Sequence, residues 1–434
     1  MERKIYRELR KWKDGGAKKP LMVIGARQVG KTYIVEEFCR REFQKHVFFN
    51  LFERADLVSV FAEEINTREK ISRLELLVGK KLDFENTVIF FDEVQESEDI
   101  IAALKYFAES ETKYKIICAG SLLGVKLNRF TKPFPVGKVE MLSMYPMDFE
   151  EYLQAKGEDL LLGEIKSCFE RNRSISEPLH GKCMNYFHTY LCTGGMPEAI
   201  AGVIEADNDV LRFNASILTN IRSSYLNDMN KYIASTAEST KIESVYNSIP
   251  VQLGNKSGKF QYAMVKKGAR SRDFSSALDW LVSSEMIYLC HKVSAPYMPL
   301  KGYAEEGFFK VFLNDTGILC NMLDIRFSSI MLDRDFHYKG IIVENYVAAQ
   351  FVVSGLPLFY WKSENTAEVD FLIDGEEGII PVEVKSGKNK ASPSLEVYRS
   401  RYKPAVSFKI RNGNFGLQDG VKSVPLYAVF CIHR

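Results

Sequence analysis

Short apolar runs separated by amphipathic stretches fill the first third of the chain. Leu21 to Ile24, Thr87 to Phe91 and Lys115 to Ala119 are almost uninterrupted apolar segments. That is the pattern of strands buried on both faces of a parallel sheet. His46 to Leu51 reads as a further strand. Between these runs Ile5, Leu9 and Trp12 recur at helical spacing within residues 3–13. Ile34, Val35 and Phe38 do the same after Thr32. Residues 56–80 form a charged helical stretch. Strands alternating with helices predict an α/β fold with right-handed crossovers.

Beyond Tyr145-Pro146 the pattern changes. Residues 148–245 lack strand signals and read as helices, punctuated by Cys192-Thr-Gly-Gly-Met-Pro-Glu198. Residues 240–295 read as helices followed by strands. There Leu278, Leu281, Val282 and Met286 lead into Ile287-Tyr288-Leu289, the order of a small winged-helix module. From about residue 305 the chain turns α/β again. Phe308 to Leu313 is strand-like and Ile341 to Val353 helical. Glu368 to Ile373 and Ile379 to Lys385, joined by Asp374-Gly375-Glu376-Glu377-Gly378, carry a hairpin signal. The expected organisation is a P-loop core over 1–155, a helical extension over 156–235, a winged-helix-like region over 236–300 and a further α/β domain over 301–434.

Composition adds bounds. A chain of 434 residues is too long for one ordinary core. With 46% hydrophobic and 26% charged residues it is ordinary globular material. A net charge of +2 confines any nucleic-acid binding to local patches. The eight cysteines include no CxxC pair, which argues against zinc, and several sit in apolar runs, so buried reduced thiols are expected. No apolar run reaches membrane-spanning length and the first residues, Met-Glu-Arg-Lys, carry no apolar signal region. The expectation is a cytoplasmic protein without membrane contact, with a homo-oligomer as a candidate assembly.

The sharpest chemistry lies in Gly25-Ala26-Arg27-Gln28-Val29-Gly30-Lys31-Thr32, which fits G-x-x-x-x-G-K-[ST] between an apolar strand and a helix. Glycines let backbone amides wrap phosphate oxygens, and the helix N-terminus adds its positive end. Lys31 is expected to neutralise the β- and γ-phosphates of ATP, and Thr32 to ligate Mg²⁺. Val88-Ile-Phe-Phe-Asp92-Glu93 supplies the matching acids, Asp92 for the metal and Glu93 to polarise the attacking water. Ser121, after the next strand, is a candidate γ-phosphate sensor. Arg27, Arg129 and Lys138 are candidate stimulating cations; each also reads as a solvated surface charge.

A second constellation lies near the other end. On the predicted hairpin Val369, Phe371 and Ile373 point one way and Asp370 the other. Val382 and Val384 alternate with Glu383 and Lys385. One face can thus collect Asp370, Glu383 and Lys385, with Glu344 on the preceding helix. Glu…Asp…Glu-x-Lys is the PD-(D/E)xK nuclease pattern. Clustered carboxylates would hold Mg²⁺, and Lys385 would position water or stabilise charge on phosphorus. Charges alternating on a solvated strand face give the same pattern, and both readings stay open.

In order along the chain stand Gly-Ala-Arg-Gln-Val-Gly-Lys-Thr, Phe-Phe-Asp-Glu-Val-Gln, Ala-Gly-Ser and Met-Tyr-Pro-Met-Asp-Phe-Glu-Glu-Tyr. Gly-Gly-Met-Pro-Glu, Leu-Asn-Asp-Thr-Gly-Ile-Leu and Val-Asp-Phe-Leu-Ile follow. This series resembles a large prokaryotic family that pairs an AAA-type ATPase core with a C-terminal domain of long-unassigned function. The resemblance implies a helical and winged-helix-like middle and a restriction-endonuclease-like C-terminal domain. Relatives often carry Gly-Arg where this chain has Gly137-Lys138, and lysine lacks the planar fork of an arginine finger.

The resulting expectation is an ATPase coupled to DNA or RNA binding or cleavage. Local basic clusters, Lys266, Lys267, Arg270 and Arg272, then Lys385, Lys388 and Lys390, are candidate phosphate contacts. The alternative is an ATP-dependent switch whose C-terminal domain is a catalytically inactive interaction module. A metabolic kinase ranks below both.

Overall fold

The computed structural model describes residues 3–63, 65–83, 85–127, 131–207, 209–231, 233, 235–255, 258–332, 338–364, 366–387 and 392–433. The chain forms two compact units. One comprises Glu2–Tyr145 with Ser283–Glu285, the other Pro146–Val282 with Met286–Arg434. Among the described residues no helix is long and apolar enough to cross a membrane. All eight cysteines are buried, and none is joined in a disulfide.

The first unit is built on a parallel five-stranded sheet in the order β2-β3-β4-β1-β5. Its strands are β1 (Leu21–Ile24), β2 (Lys45–Asn50), β3 (Thr87–Asp92), β4 (Lys115–Gly120) and β5 (Glu140–Ser143). Every residue of β3 is buried, which is why it reads as an unbroken apolar run. The helix Ile5–Asp14 buries Ile5, Leu9 and Trp12, the three residues its spacing marks. The charged stretch resolves into two helices, Ala55–Ala62 and Thr67–Val78, the second opened by an Asn66–Glu69 capping box. Strand β5 was not expected. It is a largely exposed edge strand with neither an apolar run nor clean alternation to announce it.

The second unit carries a bundle of helices and a mixed eight-stranded sheet in the order β12-β13-β11-β10-β9-β8-β6-β7. The strands are β6 (Ile287–Val293), β7 (Ala304–Leu313), β8 (Phe359–Lys362), β9 (Glu368–Gly375), β10 (Gly378–Lys385), β11 (Ser407–Arg411), β12 (Gly416–Gln418) and β13 (Val421–Pro425). The fold is therefore α/β throughout, with a parallel P-loop-type sheet and a C-terminal mixed sheet. Strand β6, which follows the helix Ser271–Ser283 where a winged module would end, joins this large sheet and pairs with β7 and β8.

The hairpin forms with Asp374 opposite Ile379. One detail of it differs from expectation. Phe359 pairs with Leu372 but Trp361 pairs with Val369, so β9 carries one residue more than β8 across this stretch. Asp370 and Phe371 together oppose Tyr360, the arrangement of a β-bulge. Strict alternation of Val369, Phe371 and Ile373 therefore fails. Val369 and Leu372 join a cluster with Trp361 and Tyr398, whereas the Phe371 ring packs on Phe351 of the helix Lys339–Val353, at 5.4 Å between centroids.

Two glycine-containing motifs interlock within the second unit. The Gly195 amide donates to Asp315 Oδ2 at 2.6 Å, and Asp315 Oδ1 accepts from the Ile318 amide at 3.0 Å, capping the helix Thr316–Met322. A Cβ on Gly194 would run into the Asp315 carboxylate, and one on Gly195 into the Met147 carbonyl oxygen. Met147, the Gly194-Gly195 pair and Asp315, each from a different segment of the chain, thus form one packing knot.

Candidate functional site

Strand β1 ends at Ile24 and the helix Lys31–Glu42 begins after a short gap, so the motif forms the turn between them. Gly25 cannot carry a side chain: a Cβ there would collide with the Met144 carbonyl oxygen. Gly30, at φ 93°, takes the left-handed conformation that sends the chain into the helix. Lys31 is buried, and its Nζ donates to the carbonyl oxygens of Gly25 at 2.9 Å and Ala26 at 2.8 Å. Burial pulls Lys31 down to about 8 against the opposing pull of Glu93, Asp92 and Glu285.

Thr32 Oγ1 donates to Asp92 Oδ2 at 2.9 Å. Asp92 ends the fully buried β3, and burial raises its carboxyl to about 6 although the Thr32 hydrogen bond acts to lower it. Two oxygen donors suited to a hard divalent cation thus converge beside a buried ammonium. This donor set fits Mg²⁺ with a nucleotide phosphate. Glu93 follows at φ 53°, a left-handed turn that swings its side chain off the strand axis. Gln95 Nε2 donates to Glu93 Oε2. Gln95 is buried against Gly120 at the end of β4, where a Cβ would meet its Oε1. Ser121 follows β4, which lies between β1 and β3, so it stands at the sheet edge between the loop and the acids, and it is buried.

Two residues here escape sequence reasoning. Gln95 is one step inside a motif whose acids draw the attention. Glu285 lies far from the motif in the chain, yet Ser283–Glu285 belongs to this unit and Glu285 adds negative potential at Lys31. Burial raises its carboxyl, and its Oε2 has no hydrogen-bond partner among the described residues. Among the candidate cations, Arg129 lies outside the described residues. Lys138 pairs with Glu109 at 2.9 Å. Glu109 ends the helix that leads back towards the start of β4, and Lys138 precedes β5, so the pair sits at the sheet edge opposite the phosphate loop. Arg27 stays in the loop itself.

In the second unit the hairpin and the helix Lys339–Val353 bring Glu344, Asp370 and Glu383 within electrostatic range. Burial, then Glu344 and Glu383, push Asp370 well above the usual carboxylate range. The Val384 amide donates to Asp370 Oδ2 at 2.7 Å, and Lys385 Nζ lies 2.6 Å from Glu383 Oε1. A residue the pattern did not include completes the group. Lys310 of β7 is 2.9 Å from Glu344 Oε1 and 2.7 Å from Glu368 Oε1. Those carboxylates and Asp370 hold its ammonium well above its ordinary value despite burial. Among the described residues no group of three His, Cys, Asp or Glu is arranged to hold a metal ion. Lys388 and Lys390 lie outside the described residues. Lys266 and Lys267 line a groove of about 600 Å³ with Lys241, while Arg272 lies 3.9 Å from Asp273. The Arg270 amide donates to Asp273 Oδ2 at 2.8 Å.

Residues 17–153 match a family described as an AAA domain. Residues 184–329 and 339–429 match two domains of unknown function, DUF8612 and DUF4143. No curated protein matches the chain. Similar solved structures include a Walker-type ATPase of Pyrococcus abyssi, 14% identical over 74% of this chain and 95% of that one, with a TM-score of 0.45. The ORC2 protein of Aeropyrum pernix in ADPNP-ADP complexes is 12% identical over 76% and 92%, with a TM-score of 0.37. Drosophila ORC bound to DNA is 12% identical over 74% and 86%, with a TM-score of 0.30. The AAA-domain match over residues 17–153 falls on the segment that carries the phosphate loop, Asp92 and Glu93.

Proposed function

We propose that this protein binds ATP with Mg²⁺ at the loop Gly25–Thr32, hydrolyses it, and uses the cycle as a switch. The observation that carries the reading is the 2.9 Å hydrogen bond from Thr32 to Asp92 beside buried Lys31. Amides of Ala26 to Gly30 and the helix N-terminus bind the phosphates. Lys31, released from the Gly25 and Ala26 carbonyls, turns its ammonium to the β- and γ-oxygens. Thr32 and Asp92 are the residues that would hold Mg²⁺, which supplies charge neutralisation on the transferring phosphoryl group. Glu93, oriented by Gln95, accepts the proton of the attacking water. Ser121 reads the γ-phosphate.

Steady-state phosphate release tests this. Lys31→Ala loses nucleotide binding and turnover together. Glu93→Gln keeps binding and loses roughly 10²–10⁴-fold in turnover, the size of a general-base contribution. Full turnover in either variant sinks the assignment.

For the second unit the ion pairs of Lys310 with Glu344 and Glu368 favour an interaction module over a nuclease. Nucleic-acid contact, if made, falls to the groove lined by Lys241, Lys266 and Lys267. Its signature is ATPase stimulation by DNA or RNA that fades as salt rises. Metal-dependent cleavage by the wild type, lost in Glu383→Ala/Lys385→Ala, would restore the nuclease reading.

A further inference from the structure

We propose that Lys310 is a tethered ammonium that stands where a nuclease-like fold would hold a divalent cation, and closes the carboxylate cluster to metal. Its position is built by the fold. Lys310 lies on β7, three strands from β9 in the sheet order, and its side chain runs across the sheet over the Tyr360 ring, 5.0 Å from the centroid. It ends between Glu344 on the helix Lys339–Val353 and Glu368 on β9, at 2.9 and 2.7 Å. Lys362 takes the other Glu368 oxygen at 2.9 Å. Lys310, Glu344, Glu368 and Asp370 line one cavity of about 160 Å³.

The chemistry follows from charge and geometry. An ammonium is a compact cation with three donors. Placed between carboxylates in a buried site, it supplies one positive charge, and with Lys362 on the other Glu368 oxygen the two ammonium groups together bring the charge of one divalent ion. A metal entering here must displace a buried, doubly paired lysine and leave that charge beside itself. The bulge that puts both Asp370 and Phe371 opposite Tyr360 aims Asp370 into this cluster, so the site keeps a nuclease-like outline around a covalently attached cation. Glu383, the remaining acid of the pattern, is buried and spends one oxygen on Lys385; its Oε2 has no hydrogen-bond partner among the described residues.

The test is Mn²⁺ binding to the full chain without nucleotide, followed by calorimetric titration and by the thermal midpoint, in the Lys31→Ala background so that the phosphate loop does not contribute. With Lys310 intact, neither heat nor a midpoint shift dependent on Glu344 or Asp370 is expected. Lys310→Met is expected to gain one Mn²⁺ equivalent and a midpoint several degrees higher with the metal than without it. A Lys310→Met protein that folds only with Mn²⁺ supports the proposal equally. Lys310→Met/Glu368→Gln, which removes the ammonium and one carboxylate together, is expected to fold without metal. Two results overturn the proposal. One is a Mn²⁺ equivalent bound with Lys310 present and lost in Asp370→Asn. The other is a folded Lys310→Met protein that takes up no metal. Neither outcome bears on ATP hydrolysis, which is measured separately.

Discussion

Lys31 shows how one buried charge sets a measurable property. Its pKa is drawn down to about 8 by burial, so the ammonium that greets a phosphate is half neutral near that pH. Nucleotide affinity without Mg²⁺ is therefore expected to fall above pH 8, approaching about tenfold per unit if only the charged form binds. A fluorescent ATP analogue titrated between about pH 6.5 and pH 9.5 would read this, and a flat profile contradicts it. Gln95 offers a second residue-scale test. Because it positions Glu93 and makes no phosphate contact in the proposed site, Gln95→Ala should lower kcat while leaving KM close to the wild-type value. The loop, Asp92 and Glu93 were legible because their spacing is dictated by a ligand. Gln95 stands in the same local motif, but an amide two residues past the acids carries no signal of its own role. Glu285 and Lys310 were not legible, because each acts through tertiary placement that no local pattern encodes.

At the scale of elements, the buried strands announced themselves and the edges did not. β1, β3 and β4 are apolar runs with both faces covered; β5 is exposed at the sheet margin, and nothing in Glu-Met-Leu-Ser distinguishes it from a loop. The hairpin β9–β10 was legible from its turn, but its bulge was not, since two residues opposing one leaves the sequence looking regular. The knot around Asp315 belongs here as well. Burial raises this carboxyl to about 6 despite hydrogen bonds from the Gly195 and Ile318 amides. The folded value lies above the unfolded one, so folding favours the protonated form. That stability is present in full below about pH 4 and is lost as pH rises through 6. Relative to Asp315→Asn, the wild type should lose ~3 kcal/mol between pH 4 and pH 7, seen as a shrinking difference in urea midpoints. A gap independent of pH contradicts this. Gly195→Ala, which drives a methyl into the Met147 carbonyl, should cost at least about 1–3 kcal/mol in the same assay.

At the scale of the molecule, the position of Lys138 constrains how turnover can be stimulated. It sits with Glu109 at the far edge of the first sheet, so it does not reach the loop of its own chain. Lys138→Ala should leave turnover of dilute protein unchanged. If specific activity climbs with protein concentration and Lys138→Ala abolishes only that climb, the residue acts on a neighbouring copy.

The Asp315 knot also has a consequence for synthesis. The Gly195 amide leaves the ribosome 120 residues ahead of its acceptor, and the Phe149 amide waits 201 residues for Gln350. Closing loops of that length is slow, and the apolar helices made early stay uncovered meanwhile. A nascent chain stopped anywhere between these points is a natural client for chaperones, and a premature stop codon before Asp315 yields a product for proteolysis rather than a smaller working protein.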